Sequence, residues 1–325
     1  MTVVVSGSIA TDYLMSFPGK FREQLVAENL DRLSVSFLVD SLTVRRGGVG
    51  ANIAFGMAQL GLTPVLLGSA GCDFGEYRDW LDAAGVDTTG VYVAEELYTA
   101  RFLCTTDQEN NQIASFYPGA MAESSLASLR GLLPQIETPD MLVVAPSAPD
   151  AMAMLTDEAR ELGIPFAADP SQQLARLDGA EIEHLVRGAS YLLANDYEIG
   201  LLRQKTGWTM DDIMAAVEVC VMTRGAHGCT IYQRDGGEIE VPAVPEERIA
   251  DPTGVGDGFR SGLLAGQEWG LSLERSAQVG SLLATYVLEQ VGTQEYTIDA
   301  DVFVKRFRAV FGDAAADDIA QHVID

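Results

Sequence analysis

Short apolar runs recur along the chain, each ending in a small or polar residue: Val3-Val4-Val5, Leu142-Val143-Val144, Phe166-Ala167-Ala168, Tyr191-Leu192-Leu193 and Val219-Cys220-Val221-Met222. Apolar runs of this length without alternation predict strands buried on both faces. Between them, residues 178–188 and 210–217 carry apolar positions at helical spacing. Strand and helix in alternation predict an α/β fold: a three-layer sandwich around a mostly parallel sheet. Ligands of such sheets collect beyond the carboxyl ends of the strands. Ser6-Gly7-Ser8, Asp169-Pro170-Ser171, Asn195-Asp196 and Thr223-Arg224-Gly225 fall there.

Two regions break the rhythm. Residues 33–44 alternate or run apolar without helical period, and residues 90–119 hold strand-like pieces at 91–93, 100–106 and 112–117. The polar stretch Asp107-Gln108-Glu109-Asn110-Asn111 reads as a hairpin turn. These pieces predict a small β-sheet lid. The expected division is a main domain of residues 1–12, 41–90 and 120–325, with a lid of 13–40 and 91–119. A hairpin turning near Glu109 sets Phe102 opposite Phe116 on one face of that lid. Such a pair is either plain core or a platform for a flat ligand.

Composition narrows the function more than the fold. The 325 residues are 47% hydrophobic and carry a formal charge of −26, from 21 Lys and Arg against 47 Asp and Glu. That surface repels nucleic-acid backbones and anionic lipid, so neither is expected as a partner. A phosphate must instead be held by local donors. The four cysteines are widely spaced with no C-x-x-C pair, which argues against a zinc cluster or a disulfide framework and fits a reducing compartment. The amino terminus reads as a strand rather than a leader, and no apolar run reaches the roughly 18 residues of a membrane span. A cytoplasmic location is expected.

The strongest chemical signal is Asp251-Pro252-Thr253-Gly254-Val255-Gly256-Asp257, followed by a helical pattern over 260–270. The glycines leave backbone N–H groups uncovered at a helix start, where the dipole also favours an anion. Asp257 in the first turn is placed to take a proton from a hydroxyl as a phosphoryl group arrives. Taken alone, the segment is also an ordinary glycine turn with an acid at a helix terminus. A second segment, Arg46-Gly47-Gly48-Val49-Gly50-Ala51-Asn52, leads into a helical pattern over 54–60. Asn52 offers a donor and an acceptor to a sugar hydroxyl, or merely caps that helix. No G-x-x-x-x-G-K-[ST] phosphate loop is present.

These two segments, with Gly7-Ser8-Ile9-Ala10-Thr11-Asp12, Asn195-Asp196-Tyr197-Glu198 and residues 223–228, resemble the ribokinase or PfkB-type carbohydrate kinases in order along nearly the whole chain. Residues 34–48, 100–102, 115–120 and 169–177 look like the bacterial, especially actinobacterial, adenosine kinases of that family. The resemblance implies a ribokinase-like fold with ATP and Mg²⁺. Asp257 would be the catalytic base, with an anion hole at Gly254, Val255 and Gly256. Asp12, Gly48, Asn52 and Ser8 would hold the ribose. Phe102, Phe116, Gln172 and Gln173 would hold the base. Asn195, Thr223, Gly225 and Gly228 would line the ATP side, with Glu198 on Mg²⁺ through water. Asn195 and Glu198 equally read as a helix cap and its first-turn acid. Pro252 departs from the family's usual Asp-Thr; a K⁺ site at Asp251, Thr253 and near Gly292 is permitted by the sequence.

The expectation is therefore a purine-salvage enzyme that phosphorylates the 5′-hydroxyl of adenosine to give AMP and ADP. A ribose or fructose kinase of the same family is the alternative, and a non-catalytic nucleoside-binding protein is a third reading. The lid strands, residues 34–39 among them, also suit pairing of two copies into a homodimer.

Overall fold

The computed structural model describes residues 2–24 and 35–323. In chain order the strands are β1 (Val3–Ser6), β2 (Ala10–Ser16), β3 (Ser41–Gly47), β4 (Val65–Gly71), β5 (Val91–Ala94), β6 (Ala100–Thr106), β7 (Gln112–Tyr117), β8 (Met141–Val144), β9 (Phe166–Ala168), β10 (Tyr191–Asn195), β11 (Val219–Thr223), β12 (Cys229–Gln233) and β13 (Glu238–Val241). The helices are α1 (Phe21–Gln24), α2 (Val49–Gln59), α3 (Gly75–Ala84), α4 (Leu129–Leu132), α5 (Pro149–Leu162), α6 (Gly179–Val186), α7 (Asp196–Thr206), α8 (Met210–Ala216), α9 (Val255–Glu268), α10 (Leu273–Leu288), α11 (Ala300–Phe311) and α12 (Asp313–Ala320).

Each long apolar run became a central strand. Among the described residues nine strands form one sheet in the order β13-β12-β11-β10-β9-β8-β1-β4-β5, all running one way except β12, which pairs antiparallel with β11 and β13. The side-chain period of two divides each strand between two cores. Val3 and Val5 face a core that includes Phe55 of α2, Leu81 of α3, Leu263 of α9, Leu282 of α10 and Phe303 of α11. Val4 faces the opposite core, with Leu155 of α5, Ile182 of α6, Leu202 of α7 and Ile213 of α8. The result is the three-layer, ribokinase-like sandwich expected. β1 lies between β8 and β4, so the chain first builds outward on one side of β1 and later on the other. The carboxyl end of such a switch strand opens a crevice. It is pinned where the Ser8 amide donates to the Pro146 carbonyl at 2.8 Å.

The smaller sheet has the order β3-β2-β6-β7. Its composition corrects the expected boundaries. Residues 10–12 and 41–47, assigned to the main domain from sequence, are lid strands, because β2 pairs with β3 from Ala10↔Gly47 through Ser16↔Ser41. Val91–Ala94, assigned to the lid, is β5 and pairs in parallel with β4 at the edge of the main sheet. Val91 and Ala94 are buried there, whereas β7 is exposed along its whole length. Of the strand expected over 33–44, Leu33 and Ser34 lie outside the described residues, as does the lid expectation for 25–34; pairing begins at Ser41. The hairpin register is as predicted, with Phe102 directly opposite Phe116.

All four cysteines are free thiols. No helix among the described residues is long and apolar enough to cross a membrane.

The hairpin of α9 and α10 sets the position of the Asp257 segment. Its backbones touch at Gly262, where an added Cβ would stand 2.7 Å from both the Cα and the N of Gly280. Since neither neighbour is a flexible side chain, Gly262→Ala should separate the helices. The expected loss is about 1–3 kcal/mol, read as a lower urea midpoint at unchanged m-value.

Candidate active site

A cavity of ≈ 540 Å³ opens between the lid sheet and the carboxyl ends of β1 and β8. That volume is typical of a small-molecule site. Ser8, Asp12, Gly48, Asn52, Phe102, Phe116, Gln172, Gln173, Thr253, Gly254 and Asp257 all line it, with Met121, Pro146, Arg176 and Thr293. Residues far apart in the chain thus share one wall. Asp251, Asn195, Glu198, Thr223, Gly225 and Gly228 do not line this cavity.

The glycine segment after β3 is tighter than its sequence suggests. α2 starts at Val49, five residues before the predicted 54, so Asn52 is inside the helix and Gly48 is its cap. Gly48 has φ +96°, and a Cβ there would lie 2.5 Å from the Ser8 carbonyl oxygen. Glycine is required on both counts. Ser8 closes the turn from the other side: its Oγ accepts from the Val49 amide at 3.0 Å, and its carbonyl from Gly50 at 3.1 Å.

Asp257 stands in the first turn of α9, behind the cap Gly254 at φ +77°. First-turn amides have no acceptor within their own helix and point toward whatever lies ahead of it. Asn52 Nδ2 donates to Asp257 Oδ2 at 2.8 Å. Burial pushes the Asp257 carboxyl up to about 6, with Asp169 and Glu198 adding to it; Arg260 and the Asn52 hydrogen bond pull the other way. A carboxylate poised there is ionised at neutral pH yet basic enough to accept a proton.

Behind Asp257 lies a cluster centred on Arg260, which the sequence did not single out, and on Asp169, Ser171 and Glu198 from segments that it did. Arg260 is 7% exposed and Asp169 is fully buried. Arg260 Nε lies 2.6 Å from Asp169 Oδ2 and its Nη2 donates to Asp169 Oδ1 at 2.7 Å. The same Nη2 is 2.9 Å from Ser171 Oγ and 4.0 Å from Glu198 Oε2. Burial works against the charge of Arg260, but Asp169, Asp257 and Glu198 outweigh it and raise its pKa. Ser171, at φ +40°, donates from Oγ to Asp169 Oδ1 at 2.6 Å, which holds an unfavourable backbone angle just before Gln172 and Gln173. Gln173 Nε2 donates to the Ser147 carbonyl at 2.8 Å.

At the ends of β10 and β11, Asn195 caps α7 with its side chain accepting from the Glu198 amide at 2.8 Å, while Glu198 Oε2 accepts from the Asn195 amide at 2.8 Å. The capping reading of this pair is therefore correct. It leaves Glu198 facing Arg260, with burial raising its pKa. Asn195 pairs in register with Thr223 on the neighbouring strand, and Gly225 and Gly228 shape the turn that follows at φ +55° and +77°. Asp251 accepts from Thr253 N at 2.9 Å and Gly292 N at 3.3 Å, tying together the two segments of the K⁺ expectation.

On the lid, Asp12 is pushed up to about 6, by burial first and then by the negative charge of Asp251. Met121 packs on Ala10 and Ala100 beneath it. Phe116 is 51% exposed, which leaves ring surface free above the cavity.

The profile of the pfkB family of carbohydrate kinases matches residues 22–300. A nucleoside kinase of Burkholderia thailandensis, solved in complex with inosine, superimposes with a TM-score of 0.83 at 37% identity, covering 96% of this chain and 99% of that one. The same protein in complex with ADP-inosine gives a TM-score of 0.81 at 37% identity over 96% and 97% of the two chains. The nucleoside kinase of Methanothermobacter thermautotrophicus is 30% identical over 82% of this chain and 85% of its own.

The buried ion pair makes a direct test. Arg260→Met keeps the stem but leaves Asp169 uncompensated, and should destabilise the protein by about 3–5 kcal/mol in denaturant titration. Arg260→Met with Asp169→Leu should recover much of that loss.

Proposed function

The chain belongs to the pfkB family of carbohydrate kinases, and from that premise we propose that it transfers the γ-phosphoryl group of ATP to the 5′-hydroxyl of a purine nucleoside, adenosine in particular. The observation that carries this reading is the single cavity wall shared by Asp12, Asp257 and the ring pair of Phe102 and Phe116. A ribose diol donating to Asp12 beneath a purine between the rings directs the 5′-hydroxyl toward the start of α9. The inosine complex of the 37%-identical relative supports a nucleoside in this pocket. A ribose or fructose would have no use for the two rings.

In the proposed step the 5′-oxygen attacks the γ-phosphorus in line. Its proton passes to Asp257, the bond from phosphorus to the bridging oxygen breaks, and ADP leaves. The amides of Gly254, Val255 and Gly256 face the developing charge, and the positive end of α9 adds to them. Among the described residues no three His, Cys, Asp or Glu side chains form a metal cage. Glu198 would hold a Mg²⁺ through water, and the ion would supply neutralisation of phosphate charge. Asn195, Thr223, Gly225 and Gly228 would border the ATP. K⁺ would be held near Asp251 and Thr253, by carbonyls of the two segments that the Asp251 carboxylate joins. Lid closure would keep water from competing as acceptor.

A second copy of the chain would cover the outside of the lid. Leu42, Val44, Ile113 and Tyr117 are exposed on the face opposite Asp12 and Phe102, an apolar set suited to a homodimer. Sedimentation should then show a dimer at micromolar concentration; monomer alone would remove this part of the proposal.

Activity decides the rest. An ADP-release assay over adenosine, inosine, guanosine, ribose and fructose, with and without K⁺, should give adenosine the highest kcat/KM; a preference for a free sugar would sink the reading. Asp257→Asn should bind adenosine but lose about 10²–10⁴ in kcat. Since the base acts ionised and its pKa is about 6, kcat/KM should fall as pH drops through that value. Alanine at Phe102 or Phe116 should raise the adenosine KM by about 5- to 150-fold, equivalent to 1–3 kcal/mol of stacking.

A further inference from the structure

Every proton around Asn52 can be assigned from its partners. Tyr77 Oη donates to the Gly47 carbonyl at 2.8 Å, and burial raises the phenol's pKa, so it keeps that proton. Gln294 Nε2, 2.6 Å from Tyr77 Oη, therefore donates to it. The second Nε2 hydrogen goes to Asn52 Oδ1 at 2.9 Å. Thr293 Oγ1 donates to the same Oδ1 at 2.8 Å, with the Arg46 carbonyl a longer alternative at 3.1 Å. An atom receiving two donors is an oxygen, which fixes the carboxamide one way round. Nδ2 is left facing Asp257, with one hydrogen on Oδ2 and one free.

We propose that Thr293 and Gln294 are positioning residues of the phosphoryl-transfer reaction: by filling the acceptor of Asn52 they lock its amide as a donor to one oxygen of Asp257, so that the substrate proton is delivered to the other. The inference rests on Asp257 being the base. It changes what Asn52 does, since its oxygen is already occupied and only one N–H is left for a sugar hydroxyl. The chain of contacts also ties the Gly47–Gly48 turn to α9 through Tyr77, so the sugar-holding loop and the base share one fixed frame. Gln294 is 1% exposed and Thr293 is 5% exposed, so water does not substitute for either donor.

Other groups also act on Asp257. Arg260 faces it from its own helix, Asp169 from the end of β9, Glu198 from α7 and Tyr296 from the segment that carries Gln294. None of these changes when Thr293 or Gln294 is replaced. Loss of a donor to Oδ1 frees the Asn52 amide to turn, which weakens its bond to the carboxylate and raises the pKa of the base.

The test is the pH profile of kcat/KM with adenosine and MgATP for Thr293→Val, Thr293→Ser and Gln294→Leu. Thr293→Val and Gln294→Leu should move the acid limb up by about one pH unit, lower the rate near pH 6 by about fivefold, and recover toward the wild-type plateau at high pH. Thr293→Ser, which keeps the hydroxyl, should return the limb toward its wild-type position. A uniform loss at all pH values, or an unmoved limb in both variants, overturns the positioning role. If Gln294→Leu fails to fold, the near-isosteric Thr293→Val decides alone. Asp257→Asn distinguishes the two levels: near-normal kcat in that variant defeats the base assignment itself, whereas its loss of activity beside unmoved limbs defeats only this inference.

Discussion

The ion pair between Arg260 and Asp169 is the constraint on which the catalytic end depends. It joins α9, whose first turn carries Asp257, to the end of β9, which leads into Ser171 and the two glutamines at the cavity. Burying two charges removes strong hydration, and attraction in the interior offsets that only when hydrogen bonds complete the geometry. Here one hydrogen bond from Nη2, a serine hydroxyl shared by both charges and a 2.6 Å contact from Nε hold the pair. Its function is to fix position more than to add stability. The same guanidinium also balances Asp257 and Glu198, which would otherwise stand as uncompensated acids around one helix start.

That balance explains why two acids in one cavity reach a similar state by different routes. Asp257 is raised by burial while a cation and an amide donor hold it back. Asp12 is raised by burial with the charge of Asp251 adding to it. Among the described residues no hydrogen bond reaches the Asp12 carboxylate, whereas Asp257 is already partnered on one oxygen. A substrate that donates to Asp12 favours its ionised form. The ligand's hydroxyls would therefore complete the electrostatics of the lid, while those of the base are complete beforehand.

Much of this was legible in the chain. The apolar runs at 3–5, 142–144 and 219–222 became β1, β8 and β11 because central parallel strands must be apolar on both faces. The Phe102 and Phe116 register followed from a turn at Glu109. Boundaries were less readable. β5 and β7 are both short and apolar-rich, and only tertiary contact sends one to the main sheet and the other to the lid. The start of α2 was missed because glycines at 48 and 50 read as loop, although one of them is a helix cap. Asp169 was legible only as part of a strand-end segment, and Arg260, Thr293, Gln294 and Tyr77 behind the site had no local signature. Their partners are distant in sequence, and a buried arginine three positions after Asp257 reads like any polar residue of an amphipathic helix.

A chain with a formal charge of −26 is expected to repel ATP, yet it belongs to a family of carbohydrate kinases. The two scales separate because exposed charges are screened beyond about 8 Å at physiological salt, while buried ones are screened far less. At the start of α9 the near field comes from the helix end, its uncovered amides and Arg260. The helix end is positive, and Arg260 offsets the acids Asp169, Asp257 and Glu198 that stand beside it. Distant carboxylates set solubility and disfavour nucleic acid, but they have little influence over a phosphate already in contact with that turn. An anion at this helix start would therefore be held by local donors and the ion pair that fixes them, despite the sign of the surface.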